Sequence, residues 1–164
     1  MGSTNTRLVG RNSSISVAIQ DPTEDPSTST LKPLGAVTTK SFTIDGNSLE
    51  ANDSSASSGF TENQISTSSL SLSVSGNYVR DTTSYPNDAF ISDLLVHRVN
   101  SIKQDLSEDP IILVKYVRPD ITLTAYMIIT SISIEDPDAD YSTFTLELSN
   151  AVSPDYPPTF VATV

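Results

Sequence analysis

Three features of the sequence predict a mainly β protein with a single helix. Apolar and polar residues alternate along most of the chain, which is the two-residue period of a half-buried strand. Only one stretch, at about 87–103, spaces its apolar residues at helical intervals. Among 164 residues there are 27 Ser and 19 Thr, so strand faces can stay wet without exposing apolar patches. The expected product is many strands with one helix covering a face or end of a sheet. A chain of this length fits one domain, 1–164, and can bury a core without covalent staples.

The elements follow in order. Ile15, Val17 and Ile19 give a first short strand. Residues 20–35 hold Pro22, Pro26, Pro33 and Gly35 among Ser, Thr, Asp and Glu, and read as an extended arm. The stretch 38–50 reads as a strand or hairpin with Phe42 and Ile44 on one face. Residues 45–63 are almost all small or polar, a long loop expected to be mobile in a lone monomer. In 69–79, Leu70, Leu72 and Val74 point one way and Ser71, Ser73 and Ser75 the other.

The helical stretch then places Phe90, Ile91, Leu94, Leu95, Val99 and Ile102 on one side. Pro86 suits its first turn, Asp88 its positive end, and Arg98 and Lys103 its other end. Residues 111–118 and 121–134 form a hairpin around Pro119 and Asp120. In 141–148 the residues Phe144, Leu146 and Leu148 point inward. The tail, 150–164, carries Pro154, Pro157 and Pro158 beside Tyr156, Phe160 and Val161. It either folds back on its own sheet or docks on another subunit.

Composition excludes several function classes. There is no Cys or Trp and only one His, which removes disulfide scaffolds, Cys-ligated metals and thiol nucleophiles. A net charge of −11 argues against direct nucleic-acid binding, which needs a basic patch. No apolar run is long enough to span a membrane, and the first residues lack an apolar signal core. Gly2 and Thr6 match a myristoylation pattern, but no polybasic segment supplies a second anchor.

Two constellations resemble chemistry. Asp93, His97 and Ser101 fall at i, i+4 and i+8 of the helix, an acid, a base and a hydroxyl. No oxyanion hole or strained nucleophile accompanies them, so the stripe reads as a solvated face. Asp136, Asp138 and Asp140, with Glu147 at position twelve, imitate a calcium loop. Position six is Tyr141 instead of Gly, and Glu147 lies in an alternating strand, so an acidic turn is the plainer reading. Asn12 and Asn52 head acceptor triplets that a Ser-rich chain produces by chance. No catalytic, cofactor-binding or metal-ligating residue is assigned.

The order of elements from about residue 7 to 150 resembles the major tail proteins, or tail tube proteins, of long-tailed bacteriophages. The resemblance rests on Arg7-Leu-Val-Gly-Arg-Asn before the first strand and on Leu34-Gly-Ala-Val-Thr-Thr-Lys-Ser-Phe-Thr-Ile. A polar loop ending near Gly59-Phe60-Thr-Glu, the Ser-Leu-Ser-Leu-Ser-Val-Ser-Gly strand at 69–76 and the helix follow. Ile128-Ile-Thr-Ser-Ile-Ser-Ile-Glu-Asp-Pro-Asp-Ala-Asp-Tyr-Ser-Thr-Phe-Thr-Leu-Glu-Leu is the most similar piece. A departure is Ser149-Asn150, which runs on into the proline-rich tail where a Gly often closes the last strand.

The resemblance implies a β-sandwich or curled antiparallel sheet with one flanking helix. It also implies a structural virion protein whose copies form hexameric rings, stacked into a tube that conducts DNA from capsid to host. Its partners would be further copies, the tape measure, tail terminator and distal tail proteins, and passing DNA without specific binding. The location would be the phage tail, with host cytoplasm during assembly. Phe60, Lys115, Arg118, Tyr156 and Phe160 are the expected subunit-interface residues, with Lys115 and Arg118 pairing across subunits to the 136–140 turn. Asp45, Glu50, Asp53 and Glu62 are expected to face the lumen or the next ring. The competing reading is an adhesin-like surface module, binding a ligand with calcium at 136–140.

Overall fold

The computed structural model describes residues 13–51, 62–79, 83–104, 109–151 and 155–162. Strands form where the alternation is most regular: β1 Ser14–Ala18, β2 Lys32–Pro33, β3 Val37–Ala51, β4 Glu62–Asn77, β5 Ile111–Val117, β6 Ile121–Glu135, β7 Thr143–Asn150 and β8 Thr159–Ala162. Helix α1 spans Ile91–Gln104. All strand pairs are antiparallel, in the order β2-β1-β5-β6-β7-β4-β3, with β8 lying off this path on β6. The sheet curls without closing. Its edge strand β3 reaches back across the curl: Phe42 meets Tyr116 of β5 edge-on at 5.9 Å between centroids. Lys40 Nζ donates to the Ser13 carbonyl at 3.0 Å.

The concave side holds the main core. Alternate residues of five strands meet there: Ile15 and Val17; Leu70, Leu72 and Val74; Ile112, Val114 and Tyr116; Leu123 to Ile129; Phe144 to Leu148. Ile91 and Leu94 of α1 close over them. Leu113, Tyr126 and Ala151 form a smaller core on the opposite face, with Leu31 and Tyr156 partly covering it. That second cover explains why Ile112, Leu113 and Val114 are buried consecutively instead of alternately.

β6 keeps its place in the core by a register slip. Leu123, Ala125, Met127 and Ile129 occupy odd positions, whereas Ile132 and Ile134 occupy even ones. Pairing with β7 shifts between Ile129 and Ser131, so one extra residue returns the isoleucines to the same face. α1 is fastened at this bulge. Arg98 donates from Nε to the Ile129 carbonyl at 3.3 Å and from Nη2 to the Thr130 carbonyl at 3.2 Å. The preceding residue completes the attachment: His97 Nε2 lies 3.0 Å from the Ile111 carbonyl.

Two expectations shift. The helix starts at Ile91, leaving Pro86 and Asp88 ahead of it. The cause is local competition: Ala89 donates to the Pro33 carbonyl at 2.8 Å and accepts from the Gly35 N–H at 3.0 Å. Phe90 therefore stands at the helix boundary, its N–H donating to the Asp93 carboxylate at 3.3 Å. Ile19 falls just past β1 and is exposed, as is Ile44 on β3.

The corner before β3 demands unusual backbone. Ala36 has φ 59°, the left-handed region that glycine prefers. Opposite it, a Cβ on Gly76 would collide with the Ala36 carbonyl and lie 2.9 Å from Val37 Cα. Gly76→Ala should cost about 1–3 kcal/mol. Ala36→Gly should leave stability unchanged or raise it by up to ~1 kcal/mol. Thermal unfolding followed by circular dichroism checks both, at about 2–4 °C per kcal/mol.

Candidate functional site

The pleat that buries Leu72, Val74, Leu146 and Leu148 turns their neighbours to the other face. Register aligns these neighbours into rows across four strands. Ser41 pairs with Ser73, Ser73 with Glu147, and Glu147 with Ser131. Beside that row, Thr39 pairs with Ser75, Ser75 with Thr145, and Thr145 with Ser133. Thr43, Ser71 and Ser149 form a third row, and Asn77, Thr143 and Glu135 a fourth. The result is a continuous hydroxyl face. The charged members of these rows, Glu135 and Glu147, are both acids, and the rows contain no Lys or Arg. Glu147 accepts from the Ser73 hydroxyl at 2.7 Å, so the most central carboxylate is held across two strands.

The same face runs into a projecting ribbon. The last β4–β7 pair is Ser71 with Ser149, and Asn150 Oδ1 caps the Leu70 N–H at 3.1 Å. Beyond it, among the described strands, β3 and β4 pair only with each other, from Asp45–Ser69 out to Ala51–Glu62. Residues 45–51 extend this ribbon by about 24 Å. The expected 45–63 loop is therefore corrected: 45–51 and 62–63 are strand, because backbone pairing does not need apolar side chains. A two-stranded ribbon is marginal in water and gains most from a neighbour. Asp45 is exposed opposite Ser69; Glu50 pairs in register with Asn63 and Glu62 with Ala51. Asp53 and Phe60 lie outside the described residues.

The arm does not wait for another subunit. Asp21 accepts from the Thr23 N–H at 2.9 Å and its hydroxyl at 2.7 Å. Asp25 accepts from the Ser27 N–H and hydroxyl, both at 2.8 Å, opening a single 3-10 turn at Pro26–Thr28. Those bonds hold both carboxyls below the usual carboxylate value. Tyr126 donates to the Glu24 carbonyl at 2.6 Å, and its phenol is pushed up by burial and then by the Glu24 charge. Leu34 is buried and β2 pairs with β1. The arm's carboxylates and Leu34 thus find partners on their own chain.

The tail takes the first of its two options. β8 pairs with Ile121–Thr124 of β6, and Tyr156 packs beside Leu113 and Tyr126. Phe160 is exposed on β8. Lys115 is exposed on β5, opposite Thr124. Arg118 Nε lies 3.1 Å from Asp120 in its own turn, with the guanidinium 5.9 Å over the Phe42 ring.

Neither chemical constellation assembles. His97 is committed to the Ile111 carbonyl, Ser101 donates to the His97 carbonyl at 2.9 Å, and Asp93 accepts from Phe90. Asp136, Asp138 and Asp140 are exposed on the β6–β7 turn, while Glu147 serves Ser73. Among the described residues no group of three or more His, Asp or Glu is placed to hold a metal. What strand-by-strand reading missed was the hydroxyl face itself. Its serines and threonines were legible in each strand, but only the register joins them.

No protein-family model and no curated protein matches this chain. Solved structures match it in fold. A chain from the tail of an empty gene transfer agent particle, refined with six-fold helical symmetry, is 14% identical, with a TM-score of 0.62 over 96% of this chain and 100% of that one. A chain of the SPP1 tail tube, determined by solid-state NMR and cryo-EM, is 12% identical, with a TM-score of 0.61 over 96% and 81%. One from the baseplate of the anti-feeding prophage is 10% identical, with a TM-score of 0.56 over 96% and 97%. This chain has the fold these proteins share.

The arm's acidic turns carry a pH dependence. Both carboxyls are lowered, so their contribution is complete above the ordinary value of 3.8 and is lost as pH falls through the lowered values. The Thr23 and Ser27 amide resonances should stay constant from pH 7 to about 4 and move below it. Asp21→Asn and Asp25→Asn should each remove that step at the corresponding amide.

Proposed function

We propose that this chain is the structural subunit of a phage tail tube. Copies close into rings, rings stack, and the hollow tube carries genomic DNA from capsid to host cell. The observation that carries this reading is the continuous face whose rows hold hydroxyls and carboxylates without a base, leading into a two-stranded ribbon of β3 and β4. A wall of that composition offers DNA water-like contacts and no cation to grip phosphate. Six copies at −11 each give a formal −66 per ring. Screening confines that field to about 8 Å at physiological salt, which acts wherever a duplex nearly fills the channel. The match to tail-tube and tail chains over 96% of the sequence supports the same reading.

In this reading the chain performs no catalytic step. The ribbon, with Asp45, Glu50, Asp53, Phe60 and Glu62 on or beside it, makes ring-to-ring contacts. Glu135 and Glu147 face the channel. Lys115 and Arg118 lie at the ring seam and meet the 136–140 carboxylates of the next copy, while Tyr156 and Phe160 face a neighbour. Tube ends contact the tail terminator and the distal tail protein, and the tape measure occupies the lumen until ejection. The protein resides in the virion tail, after assembly in the host cytoplasm.

Electron microscopy of concentrated protein should show rings or tubes of one diameter; a strict monomer at every concentration, with or without tail initiator, refutes the reading. Replacing residues 48–66 by an Asn-Gly turn, which joins the register partners Asn47 and Thr67, should leave a folded subunit that forms no tubes. Ser75→Arg with Thr145→Arg should give tubes that hold duplex DNA at low salt and release it at high salt. Unsubstituted tubes should hold none. Equal retention by both would show that this face does not line the channel.

A further inference from the structure

α1 is inverted with respect to water. Its polar members are spent on its own chain: His97 lies against the Ile111 carbonyl, Arg98 binds the Ile129 and Thr130 carbonyls, and Ser101, which is buried, donates to the His97 carbonyl. The other side is largely apolar. At 3.6 residues per turn, Ser92, Leu95, Val96, Val99, Ile102 and Lys103 share an arc of roughly 120° turned away from Leu94 and Ser101. Leu95 is half-buried, Val96 is 57% exposed, Val99 38% and Ile102 42%, and no acid interrupts the stripe. A helix that is apolar on both sides belongs between two layers, and the described residues supply only the inner one.

A complementary surface lies on the other side of the sheet. Leu113 and Tyr126 of the smaller core floor a groove walled by Pro26 of the arm and by Tyr156 and Pro157 of the tail. Its charged lining residues are Asp25 and Asp155, both exposed, and no Lys or Arg among the described residues lines it. An apolar floor beside two carboxylates suits an apolar ridge that ends in a cation. The outer stripe of α1 offers that ridge, with Val99 and Ile102 next to Lys103. Because α1 closes the concave core and the groove opens on the opposite face, a single chain cannot bring the two together.

We propose that in the assembly the outer stripe of α1 on one copy seats in the Pro26–Tyr156 groove of the next, with its Lys103 against the carboxylates of Asp25 and Asp155. The inference rests on the tube reading and names one contact that joins its copies. Two different patches meet, so the contact is head-to-tail and repeats from copy to copy, as a closed ring or a continuing tube requires. It removes from water apolar surface that the free subunit leaves wet, a gain the single chain cannot supply to itself. In a chain at −11 bases are scarce, so a base seated against acids also helps to fix the register.

Charge exchange tests the contact. Lys103 and Asp155 are exposed, so Lys103→Glu and Asp155→Lys should leave thermal unfolding nearly unchanged and each slow tube growth about tenfold. The double variant should recover growth to within about threefold of the unsubstituted chain. Val99→Glu should leave a folded monomer that forms no tubes at concentrations where the unsubstituted chain does. Full-rate growth of the Val99→Glu chain overturns the proposal. Single charge variants that grow at the full rate, or slow ones whose combination stays as slow, overturn the groove as the seat of α1. No tubes from the unsubstituted chain strikes the tube reading, and this contact with it.

Discussion

β6 must keep one face in the core for fifteen residues while its neighbours change. Its early residues lie between β5 and β8, and its later ones pair with β7. A strictly alternating strand of this length in a curled sheet would carry its isoleucines off the core as the partners bend away. The extra residue between Ile129 and Ser131 absorbs that drift. It also frees carbonyl oxygens, and Arg98 of α1 binds two of them. Helix position, sheet curvature and core continuity therefore meet at one bulge.

The curl sorts the two faces by chemistry. Apolar residues turned inward need the helix to finish their cover, and Leu94 supplies it. The opposite pleat is left with hydroxyls and carboxylates, because the same alternation that buries Leu72 and Leu146 must expose Ser73 and Thr145. Where the opposite face is covered, near Leu113 and Tyr126, the cover is the arm and tail instead of another sheet layer. The molecule thus presents a smooth polar wall on one half of its outer face and a docked, segmental layer on the other. A wall that offers water-like contacts is suited to passage rather than retention, which is the physical content of the proposed conduit.

In the proposed tube, contacts between copies fall to the parts with least internal support. The β3–β4 ribbon runs past the last β7 pair with only its own ladder. β3 also forms one end of the strand order, leaving its outer edge without a partner among the described strands. β8 adds a ladder without burial. By contrast the arm, equally rich in Pro, Ser and Asp, is consumed internally through Tyr126, Leu34 and two acidic turns. Similar composition leads to opposite roles, and the difference lies in what each segment meets.

Alternation alone determined the class of this protein and most of its inward residues: Leu70, Leu72 and Val74, and Phe144, Leu146 and Leu148, are buried as their spacing requires. The existence of the helix was legible for the same reason, since Ile91 and Leu94 recur at its period, but its face was not: Ser101, expected on a solvated stripe, is buried, while Val99 and Ile102, expected on the apolar side, are exposed. Its start was not, because Ala89 is captured by Pro33 and Gly35, residues more than fifty positions away in sequence. Nor could composition reveal that 45–51 is strand, because a backbone ladder stabilises polar residues as readily as apolar ones once a partner is aligned. The hydroxyl face, the slip at Thr130 and the seat of β8 belong to tertiary structure alone. Periodicity is a property of one strand, whereas a surface, a bulge and an edge exist only when several strands share a register.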